Sequence, residues 1–111
     1  LDFALNRLKN ILKNMNVYPK KMLKNLNITN GLIFSQRVLL ELTKQGFSRE
    51  KAYSIVQKNA MNSWTQNVSF YESLSNDSLI NKKISNKDLM RMFDLDYHTK
   101  KINLIFNRIF K

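Results

Sequence analysis

Apolar residues recur at helical spacing along nearly the whole chain, and no stretch of useful length alternates as a half-buried strand would. The densest segment is Gly31-Leu-Ile-Phe-Ser-Gln-Arg-Val-Leu-Leu-Glu-Leu-Thr-Lys-Gln-Gly46. On a helical wheel its only charges, Arg37, Glu41 and Lys44, share a strip about 60° wide. Leu32, Ile33, Phe34, Val38, Leu39, Leu40 and Leu42 fill most of the remaining circumference. A helix so patterned is expected to be the nearly surrounded rod of a bundle. Leu39, about 160° from Glu41, is expected among the most buried side chains. Gly46 supplies the left-handed residue that ends a helix at little cost. Ser48 can cap the next helix, with Glu50 near the positive end of its dipole. So short a turn should fold the two helices back as an antiparallel pair.

The flanking segments read the same way. Residues 3–15 place Leu5, Leu8, Ile11, Leu12 and Met15 on one face and Arg7, Lys9 and Lys13 on the other. Pro19 suits the first position of a second helix capped by Tyr18, with Val17 and Met22 placed as a hydrophobic staple. Met22, Leu23 and Leu26 form its apolar edge, and 27–30 is a loop. The helix after Ser48 reads as the cleanest amphipath, with Ala52, Val56, Ala60 and Trp64 at four-residue steps toward the core. A break at 66–69 precedes a short helix of Phe70, Tyr71 and Leu74, and 75–83 reads as a polar loop. Ser85-Asn-Lys-Asp88 resembles a capping box opening a helix with Leu89, Met90, Met92 and Phe93. After a turn at 94–98, a last helix sets Ile102, Ile105, Phe106, Ile109 and Phe110 opposite Lys100, Lys101, Arg108 and Lys111. The expected fold class is all-α: a small helical bundle of about five to seven helices around a central helical hairpin.

A chain of 111 residues with two Gly and one Pro carries no linker that would divide it into two independent globules. It opens at Leu1 already in helical register, without a clear cap. Residues 1–16 therefore read as the tail of a long helix continuing from a preceding domain, and 17–111 as a C-terminal helical domain. The absence of cysteine excludes a disulfide framework and a thiolate site. No apolar run approaches a bilayer-spanning length.

The net charge of +11 raises the possibility of a nucleic-acid or acidic-membrane partner. Asn and Lys supply 15 and 14 residues and Ile nine, and all three have AT-rich codons. Base composition alone thus accounts for much of the lysine, and the charges fall where a bundle has its solvated faces. No specific nucleic acid and no membrane is expected. The Gly46–Ser48 turn has the form of a helix-turn-helix, but its second helix would offer Lys51 and Lys58 beside Glu50 and Ile55, a poor phosphate-tracking surface.

The chemical inventory is sparse. His98 is the only histidine, so an imidazole-rich metal site is excluded, and a residue in a turn is read as structural or exposed. Asp94 and Asp96 sit where capping explains them. Ser35 has no histidine on its helix and is expected to back-bond to a helix carbonyl. Arg37 is read as solvated and loosely paired with Glu41, worth only about 0.2–0.5 kcal/mol. The alternative is that it anchors a subunit contact or frames an anionic ligand. No residue is assigned as catalytic, cofactor-binding or metal-binding, and no cofactor is expected.

Taken as a set, these segments carry a resemblance. Val17-Tyr-Pro-Lys-Lys-Met22 with Asn25, Gly31 to Leu40, Ser48-Arg-Glu-Lys-Ala-Tyr53, Val56-Gln57 and Ala60 to Trp64 resemble the C-terminal region of the adenylosuccinate lyase family. So do Phe93-Asp-Leu-Asp-Tyr97-His98 and Ile102-Asn-Leu-Ile-Phe-Asn-Arg108. The resemblance implies part of a cytoplasmic homotetrameric enzyme of purine biosynthesis in the fumarase/aspartase superfamily. Such enzymes eliminate fumarate from adenylosuccinate, giving AMP, and from the succinylated carboxamide ribotide. The family's base is a serine on a Gly-Ser-Ser-x-Met-Pro loop, and its histidines and phosphate-holding Ser and Arg also precede this region. The implied partners are therefore the remaining domains of the lyase and its other subunits, and the segment alone should be inactive. A 3-carboxy-muconate cycloisomerase-like enzyme shares this type of domain, and Tyr18-Pro19, Ser35-Gln36-Arg37 and the 93–108 tail favour the adenylosuccinate enzyme. The competing class is a free-standing basic module for nucleic acid or an acidic surface.

Overall fold

A computed structural model describes residues 1–110. Among these the regular elements are all helical: α1 (Asp2–Lys13), α2 (Pro19–Asn27), a 3-10 turn (Leu32–Phe34), α3 (Ser35–Lys44), α4 (Arg49–Gln66), α5 (Phe70–Ser75), α6 (Ser78–Asn81), α7 (Asn86–Met92), α8 (Asp96–Thr99) and α9 (Ile102–Ile109). The all-α class holds. The helices outnumber the expected five to seven because the segments read as a loop at 75–83 and a turn at 94–98 each contain a one-turn helix. Lys111, placed above on the polar face of the last helix, lies outside the described residues.

Local chemistry explains most boundaries. Gly46 has φ 88, the left-handed conformation that closes α3. Ser48 Oγ accepts from the Lys51 amide, and Ser69 Oγ does the same for Glu72 at the start of α5. Ser85 Oγ accepts from the Asp88 amide, and its hydroxyl donates to Asp88 Oδ2 at 2.7 Å, so the expected capping pair forms. Pro19 opens α2 behind Tyr18. The staple pair Val17 and Met22 is exposed on both sides.

The core gathers Val38 and Leu42 of α3, Ala52, Ile55 and Val56 of α4, Phe70 and Leu74 of α5, Ile80, Ile84, and Leu89 and Met92 of α7. Phe93 closes it: its ring lies 5.1 Å from Phe34, 6.0 Å from Phe70 and 5.3 Å edge-on from Tyr71. The hairpin of α3 and α4 is central, as expected, but three details differ. The stretch 31–46 is a 3-10 turn followed by α-helix, and it is not surrounded. Leu40 and Ile33 are half exposed, and Leu39 is only partly buried, its place taken by Val38 and Leu42. The core face of α4 is rotated from the expected stripe: Ile55, Asn59 and Ser63 are buried with Ala52 and Val56, while Trp64 is 67% exposed. That rotation mixes polar and apolar residues, making α4 a weak amphipath rather than the cleanest. Within the supposed polar loop, Ile80 is fully buried.

Helices α1, α2 and α9 contribute no buried residue. Leu5, Leu8, Ile11, Leu12 and Met15, together with Ile102, Ile105, Phe106, Ile109 and Phe110, face solvent. The radius of gyration is 19.3 Å, where a compact chain of this length has about 13 Å. The terminal helices thus project from a compact centre made by α3 to α7.

Candidate functional site

Two polar assemblies and one apolar groove stand out. The first is built on Arg37, which α3 presents toward the end of α7. Arg37 Nη1 donates to the carbonyls of Met92 at 3.2 Å and Asp94 at 3.1 Å. Its guanidinium carbon lies 3.9 Å from the centroid of the Tyr97 ring, and Lys100 Nζ lies 4.0 Å from the same centroid. A charged donor to carbonyl oxygens contributes about 1.5–3 kcal/mol, and a cation over an aromatic ring about 0.5–2 kcal/mol. Arg37 is therefore no loosely solvated partner of Glu41. Glu41 pairs instead with Lys44 at 3.0 Å. Arg37 fastens the 92–100 segment to the central hairpin and so fixes where α9 departs. Arg37, Tyr97 and His98 also border a small cleft of about 220 Å³.

The second assembly is buried under α4. Asn59 Nδ2 donates to Asp77 Oδ2 at 3.0 Å and to the Ile55 carbonyl at 2.9 Å, and Asn59 Oδ1 accepts from Ser73 Oγ at 2.9 Å. Asp77 Oδ1 accepts from the Leu79 amide at 2.9 Å, capping α6, and Lys58 Nζ lies 3.4 Å from Oδ2. Burial pushes the Asp77 carboxyl up, but the Asn59 and Leu79 hydrogen bonds and the Lys58 charge outweigh it and hold the group below the ordinary carboxylate value. Every buried oxygen here is satisfied, which describes a structural network joining α4, α5 and α6.

The groove, about 940 Å³, opens beside the α3–α4 turn and is lined by Leu39, Leu40, Phe47 and Tyr53, with Arg49 and Glu50 at its edge. It is an apolar docking concavity with no reactive group.

The remaining sequence candidates stay apart. His98 is exposed and meets only the Tyr97 ring, edge-on at 5.4 Å. Asp94 Oδ1 accepts from the Asp96 amide at 2.9 Å, the local capping expected of it. Ser35 makes no side-chain bond to its helix, contrary to expectation. Ile55, counted above on the solvated face of α4, is core, and Lys58 is engaged with Asp77, leaving little of a groove-reading helix. Among the described residues no group of three His, Asp or Glu side chains could hold a metal ion, and no helix is long and apolar enough to cross a membrane. The arrangement can hold helices in place and present apolar faces; it assembles no acid–base pair around a pocket.

Residues 31–109 match the family described as adenylosuccinate lyase C-terminus. The chain is 48% identical over 120 residues to adenylosuccinate lyase of Helicobacter pylori (strain ATCC 700392 / 26695), covering 99% of this chain and 27% of that protein. It is 43% identical over 109 residues to the adenylosuccinate lyase of Bacillus subtilis (strain 168), covering 98% and 25%. Against that of Thermotoga maritima it is 41% identical over 102 residues, covering 92% and 24%. The chain thus spans about a quarter of the length of the curated relatives it matches.

Proposed function

Since the chain belongs to the adenylosuccinate lyase C-terminus family, we propose that it serves as the C-terminal helical domain of a lyase that eliminates fumarate from adenylosuccinate and from the succinylated carboxamide ribotide. The observation that carries this reading is a match along nearly the whole chain to a quarter of three adenylosuccinate lyases. These relatives favour it over the cycloisomerase reading. In the reaction a base removes a proton beside a carboxylate and an acid protonates the departing nitrogen. Those groups belong to other parts of the enzyme. The role of this chain is to supply a rigid hairpin, α3 and α4, and exposed apolar helices that seat against the rest of the protein.

On this reading residues 1–16, with α1, form the end of a long helix shared with a preceding domain, and 17–111 form the domain proper. The exposed faces of α1, α2 and α9 pack within the parent and its homotetramer, in the cytoplasm. The test is an exchange. The C-terminal quarter of the Bacillus subtilis relative is replaced by this chain, and fumarate release from adenylosuccinate is followed. The hybrid should retain activity, the same protein lacking its C-terminal quarter should lose it, and this chain alone should show none. Fumarate release by the chain alone, or a folded hybrid as inactive as the truncated protein, would overturn the assignment.

A further inference from the structure

The turn leading into α3 contains an Asn30-Gly31 pair that the fold itself demands. Gly31 has φ 90, and a Cβ there would stand 3.4 Å from Phe93 Cε1, so only glycine sits without strain. Asn30 has φ 50, a left-handed conformation that asparagine tolerates better than most residues. Its carbonyl accepts from the amide of Phe70, the first residue of α5, at 2.8 Å. Its side-chain Nδ2 donates to Oδ1 of Asn67, itself left-handed with φ 53, at 3.0 Å. The neighbouring amides are occupied: Asn30 N–H by the Asn27 carbonyl, Leu32 N–H by Thr29 and Phe34 N–H by Gly31. The Gly31 N–H has no acceptor among the described residues.

We propose that Asn30 is a site of spontaneous deamidation, restrained in the folded chain by its hydrogen bond to Asn67. The nucleophile is the Gly31 nitrogen, which is not tied into a backbone hydrogen bond and carries no Cβ-bearing neighbour to hinder its approach. After losing its proton to water it attacks Cγ of Asn30. The Cγ–Nδ2 bond breaks, and Nδ2 leaves as ammonia with the proton it regains. The product is a five-membered succinimide closed between Cγ of Asn30 and the Gly31 nitrogen. Water then opens the ring. Attack at Cγ leaves an aspartate, and attack at the main-chain carbonyl leaves an isoaspartate whose backbone runs through the side-chain carbon. One water is consumed, one ammonia is released, and nothing is oxidised or reduced.

The clasp restrains the first step because Asn30 must give up the Asn67 bond before Cγ can turn toward the Gly31 nitrogen. The product alters the core from its edge. Asn67 Oδ1 loses its donor, and the isoaspartyl form lengthens the backbone where the Asn30 carbonyl holds the Phe70 amide. Phe70 is fully buried, so a shift there reaches the centre of the bundle. This modification concerns the chain whatever enzyme it serves.

The full chain, Asn67→Gly and Asn30→Gln would be aged side by side in mildly alkaline buffer and mapped by peptide mass spectrometry with isoaspartate-specific labelling. Asn67→Gly removes the clasp yet keeps a residue suited to a left-handed backbone. The native chain should gain the amide-to-acid mass change at Asn30 before its other asparagines. Asn67→Gly should do so severalfold faster at Asn30 alone, and Asn30→Gln should gain nothing there. The aged native chain should melt lower than the fresh one, and aged Asn30→Gln should not. A native chain in which Asn30 converts no sooner than its other asparagines, or a folded Asn67→Gly with an unchanged rate at Asn30, would overturn the proposal.

Discussion

Helices α1 and α9 have sharply separated apolar and polar faces and bury nothing, whereas α4 has no clean separation and buries five residues. The difference lies in where each partner is. The polar members of the α4 core face, Asn59 and Ser63, are satisfied by Asp77, Ser73 and the Val68 carbonyl, all brought close by the short helices that follow. The apolar faces of α1 and α9 find no counterpart within the described residues. Amphipathicity therefore says that a helix face fits a partner, not that the partner is in the same chain. Charge divides in a related way. Residues 1–30 carry Arg7, Lys9, Lys13, Lys20, Lys21 and Lys24 against Asp2 alone, while residues 31–77 carry Arg37, Lys44, Arg49, Lys51 and Lys58 against Glu41, Glu50, Glu72 and Asp77. The excess sits outside the packed hairpin, beside exposed apolar faces.

The largest expected contrast compares one residue from each region. Phe70→Ala empties a fully buried site, at a cost of about 3–5 kcal/mol, a large share of the roughly 5–15 kcal/mol that holds a small domain together. Ile105→Ala, half exposed on α9, should stay within about 0.5 kcal/mol. Thermal melts of the two variants would break the comparison if Ile105→Ala proved comparably damaging.

Arg37 sharpens it. Removing a donor to two carbonyls and the Tyr97 stack should cost about 1–3 kcal/mol, and Arg37→Lys should recover little because an ammonium cannot reproduce the planar fork. Leu39→Ala, at a partly buried position, should cost less than the same change at fully buried Leu42. Chemical denaturation of these four variants would rank them. A negligible loss for Arg37→Ala would return that side chain to a solvated role.

The smallest effect is a pH dependence. The Asp77 carboxyl titrates lower in the folded chain than its ordinary value, so the folded state binds that proton less readily than the unfolded one. Its contribution is fully present above pH of about 4 and is lost as the pH falls through the depressed folded value. Asp77→Asn should flatten that part of the acid melting profile and lower stability at neutral pH. An unchanged acid limb in Asp77→Asn would show that other carboxylates govern it.

How much of this was legible beforehand follows from the range of each interaction. Gly46, Ser48, Pro19 and Ser85 act within a turn of their own position, and the boundaries they set were readable. The orientation of α4 was not, because hydropathy alone places Trp64 inward and Asn59 and Ser63 outward. Their true places depend on hydrogen bonds to residues 68–77. Ile80 was hidden among Ser, Asn, Asp and Lys that serve as caps to one-turn helices. Arg37 could not be read correctly because its acceptors lie 55 and 57 residues away. Of the candidate site, the missing catalytic constellation was visible in the inventory, while the clamp on Tyr97 and the Asp77 network required the fold.

Amide hydrogen exchange tests the two-region account most directly, because it reads local opening along the backbone. It would be measured on this chain alone and on the hybrid in which it replaces the C-terminal quarter of the Bacillus subtilis relative. Amides of α4 and α5 should be slow in both proteins, and those of α1, α2 and α9 fast in the isolated chain and markedly slower in the hybrid. Equal protection of α1, α4 and α9 in the isolated chain, or terminal helices that remain fast in an active hybrid, would contradict it.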